Sequence, residues 1–286
     1  CDPLRDILKL IKILKQINRL NANKDNIFII SNTTIYVIYF FLIKLIFKNS
    51  KIILFYHSHI YNFNFTQITA GFLSSILSIF NKYNIFVSKY TLNWWNTYFP
   101  LTRISNQKIM YNYLSLPKKI YKNNCKKLKV GFIGRLEKEK GILKFLKVAK
   151  NINKKKIEFY IFGEGSIKIK KKYANIKVYK WTKKEKIYNK INLLFVTSKI
   201  ENCPLSVLEA KSYGIPTITI SKGGIKEIIK NYKDGIILDQ NISIKKIEKN
   251  LINILHKLNF YRKNCIKNSK NFSINNYSEM INLIKF

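Results

Sequence analysis

"INLLFVTSKIENCPLSVLEAKSYGIPTITIS", residues 191–221, decides the fold. Its ends, INLLFVTS (191–198) and IPTITIS (215–221), are short apolar runs that read as buried strands. Between them the sequence predicts a helix over 204–213. Pro204 suits its first turn, where a missing N–H costs nothing, and Asn202 or Cys203 takes the cap position. A strand, a helix and a strand in succession make one unit of a parallel sheet covered by helices.

The same rhythm extends both ways. Upstream lie a strand KVGFIG (129–134), a helix over 141–150, and strands IEFYIFG (157–163) and IKVYKW (176–181). Downstream come a helix over 224–230, the strand GIILD (235–239) and helical segments over 243–258 and about 274–285. This predicts a complete doubly wound α/β domain. The first half reads as the back part of another. A helix over 4–20, apolar at 4, 7, 8, 11 and 14, precedes a strand over 26–32, a helix over 34–47 and a strand KIILFYHSH (51–59). A helix over 68–80 and a strand NIFVS (84–88) follow. Across 100–129 the rhythm is lost, and a lysine–asparagine run with Pro117 reads as a linker. The expected division is therefore a first domain over 1–115, a linker over 116–128, a second domain over 129–270 and a C-terminal helix over 271–286.

Composition narrows the function. The 286 residues suffice for two domains, and Lys+Arg 53 against Asp+Glu 15 gives a formal charge of +38. Abundant lysine, asparagine and isoleucine fit the codons of an AT-rich genome. The other reading of the charge is attraction to nucleic acid or to an acidic lipid surface. A nucleic-acid binder would gather cations and exposed aromatics on one face. Here the lysines are spread over nearly every segment, so no nucleic-acid partner is expected. The four cysteines are scattered without a CxxC pair, which predicts neither a zinc site nor a disulfide framework and suits a reducing cytoplasm. The longest apolar stretch, 34–47, contains Lys44 and falls short of the roughly 20 residues that a bilayer-spanning helix needs. No signal peptide is visible, and Cys1 in place of Met implies a start further upstream.

Polar motifs sit at the carboxyl ends of the predicted strands, where open α/β sheets bind ligands. In GRLEKEKG (134–141), Gly134 permits a tight exit, while Arg135 and Lys140 flank a helix start that already favours an anion. Two such cations suit a diphosphate; two ordinary surface cations are the plainer alternative. FGEGS (162–166), with Gly163, is a turn at another strand end. Glu201 precedes the 204–213 helix, and Glu209 lies about a turn and a half inside it, on a face able to meet the same cleft. A carboxylate accepts from two adjacent hydroxyls, as on a ribose or hexose. Dipole compensation by Glu201 and solvation of Glu209 are the alternatives. SKGG (221–224) opens a helix containing Glu227, and His57 and His59 end a first-half strand. A histidine there can donate to a phosphate or hydroxyl or shuttle a proton. Only His256 could join them, so no metal site is expected.

Taken in order, GRLEKEKG, FGEGS, ENCPLSVLEAKSYGIPTIT and SKGGIKEIIKNYKDGIIL resemble glycosyltransferase family 4, retaining enzymes of the GT-B fold. The likeness is close over about 125–286 and loose before it. It implies two Rossmann-like domains, with the C-terminal helix crossing back to the first. Glu201 would lie near the donor sugar and Glu209 would hold ribose hydroxyls. Arg135 and Lys140 would neutralise the diphosphate, capped further by backbone N–H groups around Leu205 and Ser206. His57, with His59 as the alternative, would be the strand-end histidine of the first domain. The partners implied are a nucleotide-sugar donor, a glycan or lipid-linked acceptor, and peripheral contact with the anionic inner face of a membrane. The donor is the only small molecule required, with no cofactor and no metal.

The departures from the family are three. The chain opens on what resembles a middle helix, so the first few strands are expected to be absent, as in a fragment or an inactive form. MYNYLSLP (110–117) resembles a hinge-side YNG segment with Tyr113 where glycine is usual. Lys180 and Trp181 replace a more usual glycine near the base pocket, leaving uridine and guanosine both open. A sugar-nucleotide epimerase of the same fold is the enzymatic alternative.

Overall fold

Every strand in the computed structural model runs parallel to its neighbours, as alternating strands and helices require. Described here are residues 27–31, 36–60, 64–117, 127–152, 156–169 and 175–274. They belong to two units, one ending at Tyr111 and the other beginning at Asn112.

The first unit contains β1 (Ile27–Ser31), α1 (Tyr36–Ile46), β2 (Lys51–Tyr56), α2 (Phe65–Ser78), β3 (Tyr83–Phe86), α3 (Lys89–Tyr98), a 3₁₀ turn (Pro100–Ile104) and β4 (Gln107–Ile109). Its sheet keeps chain order, β1-β2-β3-β4. Right-handed crossovers that all step the same way put α1, α2 and α3 on one face. Beneath them Ile52, Leu54, Tyr56 and Phe86 are buried against Tyr36, Phe40 and Trp95. Tyr56 stacks on Phe86 at 4.4 Å and meets Trp95 edge-on at 4.8 Å. Buried polar groups are joined in a chain: the Tyr36 hydroxyl donates to Asn81 (2.9 Å), Asn81 to Asn84 (2.8 Å), and Asn84 to the Ser78 carbonyl (2.8 Å).

The second unit is built on β5 (Leu128–Ile133), β6 (Ile157–Phe162), β7 (Ile176–Tyr179), β8 (Leu193–Val196), β9 (Thr217–Thr219) and β10 (Gly235–Ile237), in the order β10-β9-β8-β5-β6-β7. Among the described residues six α-helices accompany them: α4 (Ile142–Asn151), α5 (Lys184–Tyr188), α6 (Leu205–Ser212), α7 (Ile225–Ile228), α8 (Ile244–His256) and α9 (Leu258–Ser269). The chain starts inside the sheet at β5 and winds outward through β6 and β7. It then returns to β8 on the other flank of β5 and winds outward again. That reversal opens a crevice at the carboxyl ends of β5 and β8, where such sheets bind ligands. Phe132, Phe145, Phe159 and Phe195 fill the core beneath it.

Several elements differ from the sequence reading. β2 stops at Tyr56, so His57 and His59 lie beyond the strand. The expected linker over 100–129 begins instead with the 3₁₀ turn and β4. Gln107 pairs in register with Asn84, and its side-chain amide donates to Asn96 (2.7 Å) and to the Thr102 carbonyl (2.6 Å). A three-residue strand held by polar side chains carries no apolar period to read. Helix α3 follows a Ser88 cap, whose hydroxyl accepts from the Thr91 N–H (3.1 Å), but its polar composition hid it, as it hid α9. The short α5 had also gone unread. The expected helices over 4–20 and 274–285, and most of the 116–128 linker, lie outside the described residues. So does all but the start of the 271–286 segment.

One buried ion pair ties α6 to the loop before β10. The Lys211 ammonium lies 2.7 Å from Asp234, with side chains 3% and 0% exposed. Asn268 on α9 donates to the same carboxylate (2.9 Å), and the Lys230 N–H donates to its other oxygen (2.8 Å). Removing one partner of such a pair leaves a charge uncompensated in the core. Asp234→Ala is expected to lower the unfolding free energy by about 3–5 kcal/mol in a urea titration followed by circular dichroism. An unchanged midpoint would show the pair to be dispensable.

Candidate active site

Two loops close over the ends of β5 and β6. Gly163 leaves β6 at φ +151°, and a Cβ there would stand 1.9 Å from the Gly134 carbonyl oxygen, so only glycine fits. The loops are then laced together. The Leu136 N–H donates to the Glu164 carbonyl (3.0 Å), and the Ile167 N–H to the Leu136 carbonyl (3.0 Å). Glu137 accepts from both the hydroxyl (2.6 Å) and the N–H (2.9 Å) of Ser166. Those bonds hold its carboxyl below the usual range. Arg135 stands exposed beside them at the end of β5.

Across the crevice, α4 begins at Gly141 (φ +74°), where a Cβ would meet the Thr197 carbonyl oxygen at 1.9 Å. The Thr197 hydroxyl donates to the Gly141 carbonyl (2.8 Å). This contact brings Lys140 to Glu201: the ammonium lies 2.7 Å from Oε1, which also accepts from the Ser198 hydroxyl (2.8 Å). Glu201 is pinned by its backbone too, accepting from the Ile225 N–H (3.0 Å) and donating to the Lys222 carbonyl (2.9 Å).

Helix α6 starts one residue later than expected. Pro204 itself is the cap (φ −70°, ψ 124°), and no side chain caps the helix. Asn112 holds the turn before it, donating from its amide to the Cys203 carbonyl (2.6 Å). Burial pushes the Cys203 thiol up to about 12, so it is no thiolate at neutral pH. On the helix, Glu209 accepts from the Tyr188 hydroxyl (2.8 Å) and is half-buried rather than freely solvated. Burial, then the Glu209 charge, keep the Tyr188 phenol well above its ordinary range, fixing it as a donor.

Arg135, Lys140, Gly163, Glu201, Leu205, Ser206 and Glu209 all line one cavity of about 590 Å³. The eighth predicted residue, His57, belongs to the first unit. It lies just past β2 with its ring stacked on Phe55 at 5.7 Å, and burial lowers its pKa so that the ring is neutral at pH 7. His59 is buried against Trp94 and Tyr90, a packing role. Trp181, noted from sequence only as a departure, lines the cavity and is 61% exposed. Ser198, Tyr188 and Asn112 were not singled out. Ser198 had one signal, its place at a strand end three residues before Glu201. Tyr188 had none, since 21 residues separate it from Glu209.

Comparison with known proteins adds the family. Residues 117–272 match the glycosyl transferases group 1. An amylovoran biosynthesis glycosyltransferase of Erwinia amylovora is 32% identical over 117 residues, 37% of this chain and 33% of that protein. A Campylobacter jejuni N-acetyl-D-galactosaminyltransferase is 31% identical over 153 residues, 49% of this chain and 41% of that protein. The chain spans about half or less of the length of the curated relatives it matches. The crystal structure of Anabaena HepE in complex with UDP superposes with a TM-score of 0.77 at 15% identity, covering 96% of this chain and 81% of that one. The parallel α/β fold is thus the GT-B fold that the sequence implied. With a match spanning more than half its length, the chain belongs to the glycosyl transferases group 1 family.

Proposed function

We propose that this protein is a retaining glycosyltransferase that moves a sugar from a nucleotide-diphosphate sugar to a glycan or lipid-linked acceptor, in the synthesis of cell-envelope polysaccharide or glycoconjugate. The observation that carries the reading is the sharing of one cavity by Arg135, Lys140, Glu201 and Glu209, at the sheet reversal of a group 1 domain. A donor of this class presents phosphate charge at its centre and hydroxyls on either side. Arg135 offers a planar fork to the diphosphate. The Lys140 ammonium has three donors, of which Glu201 takes one, leaving two for phosphate oxygens. The uncapped start of α6, at Leu205 and Ser206, adds N–H groups where charge builds on the leaving diphosphate. No resident metal has a part in this scheme, because protein cations meet that charge.

Glu209, oriented by Tyr188, accepts from ribose hydroxyls, and Glu201, oriented by Lys140 and Ser198, faces the donor sugar. In the retaining course the acceptor hydroxyl attacks from the face that the diphosphate leaves. His57 positions the sugar or the acceptor. The solved complex of HepE with UDP supports a uridine carrier. The Campylobacter relative is named for transfer to an undecaprenol-diphosphate-linked glycan, which supports a lipid-linked acceptor and peripheral work at the inner face of a membrane. Among the described residues no helix is long and apolar enough to cross one.

Removing a preorganised charge of this kind is expected to cost about 10²-fold or more in turnover. Glu201→Ala and Arg135→Ala are each expected to abolish sugar transfer, read as nucleotide released in the presence of acceptor. Wild-type rates in either variant would remove the assigned role. UDP is expected to raise the melting temperature more than GDP does; no shift with either would count against the donor site. Tyr188→Phe leaves Glu209 without its partner and is expected to raise the donor KM about tenfold with little change in kcat. A fall in kcat alone would place Tyr188 in the chemical step instead.

A further inference from the structure

Helix α6 brings an uncapped start to the cavity, so something other than a cap must hold it there. Pro204 stands at the cap position with no N–H of its own, and no side chain takes the cap's place. The Pro204 carbonyl accepts the Val207 N–H (3.1 Å) and the Leu208 N–H (3.4 Å), which closes the first turn from Val207 onward. Leu205 and Ser206, both lining the cavity, come before those bonds. A serine, threonine or aspartate at the cap would compete for the N–H groups of this turn. Proline leaves them to an anion.

The fixing contact comes from a segment 91 positions away. Asn112, the first residue of the second unit, makes two bonds to Cys203. Its side-chain amide donates to the Cys203 carbonyl (2.6 Å), and its backbone N–H donates to Sγ (3.3 Å). Two bonds from one residue set both the place and the tilt of the peptide that leads into Pro204. The segment carrying Asn112 is anchored in turn. The Leu114 N–H donates to the Phe272 carbonyl (3.0 Å), and the Leu114 carbonyl accepts from the Ile274 N–H (3.2 Å). The Cys203 thiol stays neutral and adds no charge beside the site. Its carbonyl, one residue outside the cavity lining, would set partial negative charge beside a bound diphosphate if left uncommitted. The Asn112 amide takes it up. MYNYLSLP, which the sequence likened to a hinge-side segment, thus has its asparagine bonded to the start of the donor-side helix.

We propose that Asn112 is a positioning residue for sugar transfer: through Cys203 it aims the Leu205 and Ser206 N–H groups at the diphosphate of the donor. The inference rests on the donor site proposed above and adds to it a residue outside the cavity lining. The test is isothermal titration of the full chain with UDP and with uridine, which differ only by the diphosphate. The wild type is expected to bind UDP more tightly than uridine. Asn112→Ala is expected to weaken UDP binding about tenfold, the scale of one charge-assisted hydrogen bond, and to leave uridine binding unchanged. Asn112→Asp keeps the size but has no hydrogen to donate at neutral pH, and is expected to lose at least as much. The far-UV circular dichroism spectrum should be the same in all three proteins. A merely structural prop would weaken both ligands alike. The proposal therefore falls if uridine affinity drops in step with UDP affinity, or if either variant binds UDP as the wild type does. A wild type that binds UDP no more tightly than uridine would sink the diphosphate site and this proposal together. Discrimination that survives Asn112→Ala would sink the proposal alone.

Discussion

Thr197, the residue just past β8, sets its carbonyl oxygen at the place where any side chain on residue 141 would have to go. That steric fact organises the second unit. It lets helix α4 begin in direct contact with the end of β8, which lies beside β5 in the sheet. Lys140, the residue before the Gly141 cap, is thereby delivered to Glu201, four residues beyond Thr197 on the other side. A cation and an anion from loops sixty residues apart become one fixed unit, and the floor of the cavity is set by the same approach. Were α4 to start even one residue away, the pair would have no reason to meet. The charges of the site are thus held in place by backbone packing, which does not vary with salt or protonation.

Much of this could be read from the chain. Strands buried on both faces betray themselves as unbroken apolar runs, which is why β2, β5, β6 and β8 stand close to where they were expected. The site was legible as ordered motifs: Arg135, Lys140 and Glu201 lie at a strand end or before a helix, Glu209 lies inside α6, and all four reach one cavity. What escaped reading has a common physical cause. The buried residues of α3 are Thr91 and Trp95, and those of α9 include Tyr261, Asn268 and Ser269, so their inward faces carry no strong apolar stripe. Strand β4 is held by the hydrogen bonds of Gln107. Tyr188 meets Glu209 only because α5 and α6 flank the same strand, a fact of tertiary structure that no local spacing encodes.

The scarcity of acids gives each one weight. Glu158 on β6 gathers Lys127, Tyr160 and Lys177, and the Lys127 ammonium first, then the Tyr160 hydroxyl, hold its carboxyl down to about 2. Glu137 fastens two loops, Asp234 anchors a buried network, and Glu201 and Glu209 face the cavity. In a chain of formal charge +38, lysines are plentiful enough to solvate most surfaces. These five carboxylates each bind a group from another segment of the chain.

The network around Asp234 also bears on how far the second unit can be shortened. Its carboxylate is shared by Lys211 from α6 and by Asn268 from the last turn of α9, while the Cys265 thiol donates to the Asp234 carbonyl (3.2 Å). Trimming the polypeptide ahead of Asn268 would remove one of the three donors to a carboxylate sealed from water. The minimal autonomous version of this lobe must accordingly retain α9 in full, although that helix stands far along the sequence from every residue of the cavity.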